Sequence, residues 1–337
     1  MSPDERRAAP PIAPPVAETS RPQDARVPGP FSPQRETTPT HLSAIDIASS
    51  RRNNHAGSIG LNRLQRLVQP RDFEILTSVA AHRLLLTGHI QALHFWNHAS
   101  EVSGIRATNR ILARLREHRL LRRLDRPVGG YGGGSQAFVW ALDVAGERLL
   151  RHINGNEHRS RPFEPSTTFL AHTLAVADHR VEIERARRAG RFELLTVTTE
   201  PQTWRQFPGQ HGQLIWLKPD LEVTTALGDW EHDWFIEVDL GTESGSALIR
   251  KCRNYQQYFH TGREQNQRGA FPRVLSLMPD QSRVELLNRL LGAETSITPG
   301  LFTVTTSEQL VATLADAHAP DQELTRSDEV REEESSE

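Results

Sequence analysis

The stretch "LIWLKPDLEVTTALGDWEHDWFIEVDLGTES" (214–244) sets acids, a lysine and aromatics at strand-like spacing. Asp220 follows a proline and opens one candidate strand. On the next, Phe235, Glu237 and Asp239 share a face by the two-residue period, while Trp234, Ile236 and Val238 take the other. Carboxylates from adjacent strands supply the hard oxygen ligands that Mg²⁺ or Mn²⁺ requires, and phosphodiester cleavage is the usual chemistry of such a site. Asp220, Glu237 and Asp239 are therefore candidate catalytic acids, the first two also as metal ligands. In the following helix, "GSALIRKCRNYQQYFHTG", Lys251 falls inside the apolar stripe of Leu248, Tyr255, Tyr258 and Phe259. A lysine on an inward face is costly unless it meets an anion, here Glu237, Asp239 or a bound phosphate. The alternative account is a snorkelling side chain or a structural ion pair.

A second chemistry-bearing stretch, "SGIRATNRILARLREHRLLRRLDR" (103–126), holds eight arginines against two acids. At helical spacing Thr108, Ile111, Leu112 and Leu115 form one face, and Arg106, Asn109, Arg110, Arg114 and Arg116 the opposite one. Arg and Asn on an exposed helix face suit base edges and phosphates of double-stranded DNA. Arg122 and Arg123 extend the basic character into the first of two strands, "LLRRLDRP" and "SQAFVWALD", which flank the glycine-rich tip "VGGYGGG" with Tyr131 in it. A solvated amphipathic helix with a floppy hairpin is the competing account.

Around these stretches, "RDFEILTSVAAHRLL" has helical periodicity, Thr87 is placed to cap a short second helix, and "VAGERLL" forms another after the hairpin. The expected organisation is a Pro- and Ser-rich disordered arm (1–60), a DNA-binding domain (61–152), a polar linker (153–165), an α/β domain (166–312) and an acidic tail (313–337). The α/β domain opens with "STTFLAHTLAVADHRVEIERARRAG", whose inward arc contains Glu184 and leaves His172 and His179 toward the surface. "RVLSLMP" reads as a further strand and "SRVELLNRLLG" as a packing helix. A single cysteine, Cys252, excludes an internal disulfide and cysteine-rich zinc sites, and the absence of an apolar run near eighteen residues leads to the expectation of a soluble, cytoplasmic protein. Net charge is close to neutral, −2 at pH 7, so the case for nucleic acid rests on local charge.

Helix, helix, arginine-rich helix and hairpin together resemble winged helix-turn-helix domains. The later half resembles the PD-(D/E)XK nuclease superfamily, an α/β core ordered helix, three strands, helix, strand. That resemblance implies Asp220 as its first acid and Glu237 as its second, with Glu184 from the first helix as a further metal ligand. The family lysine is replaced by Asp239, and the resemblance offers Lys251 on the following helix as its substitute. The combination of these features with "KPDLEV", "FIEVDLGTES" and "IRKCRNYQQYF" resembles the replication-relaxation family of bacterial plasmids and mobile elements. It implies a DNA-binding replication or relaxation protein, either a Mg²⁺- or Mn²⁺-dependent endonuclease or a non-catalytic accessory or regulator with a degenerate nuclease fold. Implied partners are duplex DNA, other replication proteins and a second copy of the chain.

Overall fold

A computed structural model describes residues 60–124, 138–155, 166–209 and 212–316. The expected N-terminal arm, the glycine-rich tip with Tyr131, most of the expected linker and most of the acidic tail lie outside these residues. The chain is mixed α/β. Its first part runs α1 (60–67), α2 (Pro70–His82), β1 (Leu85–Leu86), α3 (Thr87–His94), α4 (Glu101–Glu117), β2 (Leu121–Leu124), β3 (Val139–Leu142) and α5 (Val144–Ile153). Here β3 lies between β1 and β2, antiparallel to both. The helices close over this small sheet through Ile75, Leu76, Val79, Ile90, Leu112, Leu115, Leu121 and Leu149, all almost fully buried. Gly146 permits α5 to meet the strand entrance, since a Cβ there would lie 2.1 Å from the Leu120 carbonyl oxygen.

The expected face of α4 is present: Thr108, Leu112 and Leu115 are buried while Arg106, Asn109, Arg110 and Arg116 are exposed. Ser100 begins the helix by accepting a bond from the Ser103 amide. Thr87 does not cap α3. It is the first helical residue, and its hydroxyl accepts from Trp140 Nε1 at 2.9 Å, tying the helix to β3. His89 serves the helix start instead, its Nδ1 accepting from the Leu86 amide at 3.2 Å.

The second part runs α6 (Thr167–Arg188), β4 (Glu193–Thr199), β5 (Arg205–Pro208), β6 (Leu214–Leu217), β7 (Leu221–Leu227), β8 (Trp230–Val238), α7 (Gly245–Phe259), α8 (Arg263–Arg268), β9 (Arg273–Met278), α9 (Gln281–Gly292), β10 (Phe302–Thr306) and α10 (Leu310–Ala315). Five strands form one sheet in the order β10-β9-β8-β7-β4, with β8 central, parallel to β9 and antiparallel to β7. Alternation along β8 decides the layers. Trp234, Ile236 and Val238 pack under α6 and α10 with Leu275, Leu277 and Leu310, whereas Phe235 faces Tyr255 of α7. β5 and β6 form a separate two-stranded hairpin, which with β10 and α10 goes beyond the elements expected from sequence.

α6 belongs to both parts. Leu170 and Leu174 pack with Leu84, Val139 and Ala141 of the first, Ala177 joins that part's main core, and Ala175, Val176, Ile183 and Ala186 cover the five-stranded sheet. A helix apolar around most of its circumference is buried between layers. Polar contacts reinforce the junction: His89 Nε2 donates to Asp178 at 2.7 Å, and the Arg188 guanidinium donates to the Ala92 and Leu93 carbonyls at 2.6 and 3.1 Å. The last pair satisfies carbonyls that the end of α3 leaves open.

Candidate functional site

Asp220, Glu237 and Lys251 meet at one end of the sheet. Asp220 lies just before β7, where its amide bonds to the Ile236 carbonyl and its Oδ2 accepts from the Val238 amide at 2.8 Å. That pair fixes the carboxylate beside β8. Glu237, one residue on from Ile236, points to the α7 layer. Its Oε2 accepts from Lys251 Nζ at 3.0 Å and its Oε1 from the Tyr255 hydroxyl at 2.5 Å. Glu243 stands 3.7 Å from the same lysine.

Burial pushes the Glu237 carboxyl above its ordinary value and the nearby Asp220 charge acts in the same direction, against the pull of Lys251 and the Tyr255 hydroxyl. Glu237 raises the lysine in turn, so Lys251 stays cationic across the physiological range. Desolvation and Glu237 hold the Tyr255 hydroxyl protonated as a donor. Burial pushes the neighbouring Cys252 thiol up to about 12, which makes it an inert packing group.

Two groups at this site were not anticipated. His172, expected at the surface, reaches Asp220 Oδ1 with Nε2 at 2.8 Å, and this hydrogen bond raises its pKa above the ordinary value. The wheel places it at the edge of α6, which is where the Asp220 end of the sheet lies. Arg83 ends α2 with φ +64°, a backbone conformation rare for a side chain of its size. Together with His82, Phe169, His172, Thr173, Glu200 and Asp220 it lines a pocket of about 50 Å³, so the first part of the chain contributes to the site. His179, also expected outside, is buried and bonded to Glu182 and Ser307.

Three expected site residues are engaged elsewhere. Asp239 lies beyond the end of β8, where strand alternation no longer sets direction, and Arg283 Nε holds its carboxylate at 2.6 Å. It lines a separate cleft of about 570 Å³ with Asp178 and His179. Glu184 sits among Arg180, Arg187 and Arg188, with contacts from 2.6 to 3.2 Å, and its carboxyl is held below the ordinary range by those cations against the opposing effect of burial. Arg114 turns inward to the buried Asp72, 2.5 Å away, and its charge is spent there. Arg106, Arg110 and Arg116 remain on the open face of α4, and Arg123 stacks over Phe138 at 4.1 Å.

Among the described residues no group of three or more His, Cys, Asp or Glu side chains is arranged to enclose a metal ion. The pair Asp220 and Glu237 nevertheless has the donor type and number of an open Mg²⁺ site, in which waters and substrate phosphate complete the octahedron. A cation entering there would share Glu237 Oε2 with Lys251 and Asp220 Oδ1 with His172.

No described helix is long and apolar enough to cross a membrane. No curated protein and no solved structure matches the chain. The model of one protein family, described as replication-relaxation, matches residues 76–274.

Proposed function

This chain belongs to the replication-relaxation family, and from that premise we propose that it binds duplex DNA of a plasmid or mobile element through α4 and hydrolyses a phosphodiester bond at Asp220, Glu237 and Lys251. The observation that carries the second half is the 3.0 Å approach of Lys251 Nζ to Glu237 Oε2 beside Asp220, because it supplies from α7 the cation that the strand lacks at position 239. The order helix, strand, helix, helix, strand, strand supports a winged-helix reading of the first part. The sequence α6, β4, β7, β8, α7, β9 supports a PD-(D/E)XK-like reading of the second.

In this reading Asp220 and Glu237 would hold Mg²⁺ or Mn²⁺, which when bound acidifies a water and neutralises phosphate charge. Lys251 would stabilise the charge that grows on the phosphate oxygens. The Val238 amide and the Tyr255 hydroxyl orient the two carboxylates, and His172 holds a proton against Asp220. Arg106, Asn109 and Arg110 would dock the duplex, with Arg116 on phosphate.

A second reading draws on the same bonds. Every oxygen of Asp220 and Glu237 already has a protein partner, as in an ion-pair cluster that shapes a binding surface without cutting. Incubation of supercoiled plasmid with purified protein and Mg²⁺ or Mn²⁺ separates the two. The nuclease reading expects EDTA-sensitive nicking that falls by two orders of magnitude or more in Asp220→Ala, Glu237→Ala and Lys251→Ala. Intact plasmid with a clear gel shift would favour the binding protein.

A further inference from the structure

We infer that Trp204, Trp216 and Lys218 form a stacking platform for unpaired nucleobases next to the Asp220 site, so that the DNA substrate carries a single-stranded segment where it is cut. The inference rests on the reading of that site as one that handles DNA. The β5–β6 hairpin alternates in burial: Ile215 and Leu217 face the core with Phe207 and Tyr258, while Leu214 and Trp216 face outward. Trp216 is 48% exposed, although indole is among the costliest side chains to leave in water. Trp204 meets it edge to face, with centroids 6.0 Å apart and planes at 76°. The exposed Lys218 sets its ammonium 4.2 Å from the Trp204 ring centroid.

Connections to the site are direct. Lys218 precedes Pro219 and Asp220 in the chain, and the Trp204 indole donates to Glu200 at 3.0 Å. Glu200 lines the same pocket as Asp220, His172 and Arg83. Thr203, beside Trp204, donates to the Pro219 carbonyl at 2.6 Å and holds the hairpin against the Asp220 turn. Aromatic faces beside a cation match a single strand, whose bases offer a π-face and whose backbone offers charge. Bases inside a duplex are already stacked and present edges to the grooves, which an exposed indole face does not read.

The test compares the affinity of the full chain for a blunt duplex and for the same duplex with a single-stranded oligothymidine tail, by fluorescence anisotropy without divalent metal. Trp216→Ala is expected to weaken the tailed duplex roughly tenfold and leave the blunt one within about twofold, with Trp216→Phe restoring most of the loss. Equal affinities of wild type and Trp216→Ala for both probes would overturn the platform while the DNA-binding reading stands. The same result with a lower molecular mass for Trp216→Ala in light scattering would overturn it in favour of a contact between copies of the chain. A wild type that binds neither probe would remove the DNA reading and the platform together.

Discussion

Arg110 and Arg114 are one turn apart on α4 and face different fates. Arg110 stays in solvent, whereas Arg114 reaches Asp72, a carboxylate that also accepts from the Gln69 amide at 2.8 Å and so anchors the start of α2. Removing Arg114 would strand a buried charge, and partial exposure of the guanidinium moderates the cost to about 1–3 kcal/mol. Arg114→Ala should lower the denaturant midpoint without altering the salt dependence of DNA binding. Arg106→Ala with Arg110→Ala should do the reverse, leaving stability within about 0.5 kcal/mol and reducing the slope of log affinity against log salt by roughly 2. Equilibrium unfolding together with duplex titrations at several salt concentrations would check both outcomes.

At the scale of elements, α6 explains both what was legible in the sequence and what was not. Alternation on β8 and the two faces of α4 could be read directly, because β8 sends successive side chains strictly to opposite layers and α4 meets one core and one polar side. α6 meets two cores, so an inward arc drawn on it does not single out the site: Glu184 lies on that arc yet faces three arginines, while His172 lies at its edge and meets Asp220. Lys251 was legible because a cation within an apolar stripe calls for an anion, but the sequence left Glu237, Asp239 and a bound phosphate open as that anion; the structure pairs it with Glu237 and Asp239 with Arg283. Arg83 carries no sequence signal, since its place depends on how the end of α2 docks. The β5–β6 hairpin escaped notice because its strands are short, and its apolar face, Phe207, Ile215 and Leu217, finds its partners in α7 and the sheet, far along the chain.

The ends of α2 and α3, at His82 and His94, also carry an acid sensitivity. Burial and the Arg180 charge lower the His82 pKa to about 3, and the same causes lower His94 to about 4, each from 6.5. The folded chain keeps both rings neutral while the unfolded chain binds protons below about pH 6.5. Their stabilising contribution is therefore present above that pH and is lost as pH falls toward 3–4, by up to about 2 kcal/mol for His82 at pH 5. Thermal melts from pH 7.5 to 5 should show a falling Tm, and His82→Gln should flatten the profile.

For the molecule as a whole, the shared helix couples the part carrying α4 to the part carrying Asp220. Heating should therefore give one calorimetric transition for residues 60–316, with no separate melting of the first part. Leu174→Ala, on the α6 face toward β3, should cost about 2–5 kcal/mol and lower that single transition without splitting it. Two resolved transitions would show that the halves are energetically separate.

The same helix limits how such proteins can be reassembled. A genetic exchange that replaced the arginine-bearing half alone would set foreign side chains against Leu170, Leu174 and Ala177, or leave the old ones facing water. On the DNA-binding reading proposed above, changes at the exposed positions of α4 would leave this junction intact, whereas exchange of the whole half would not.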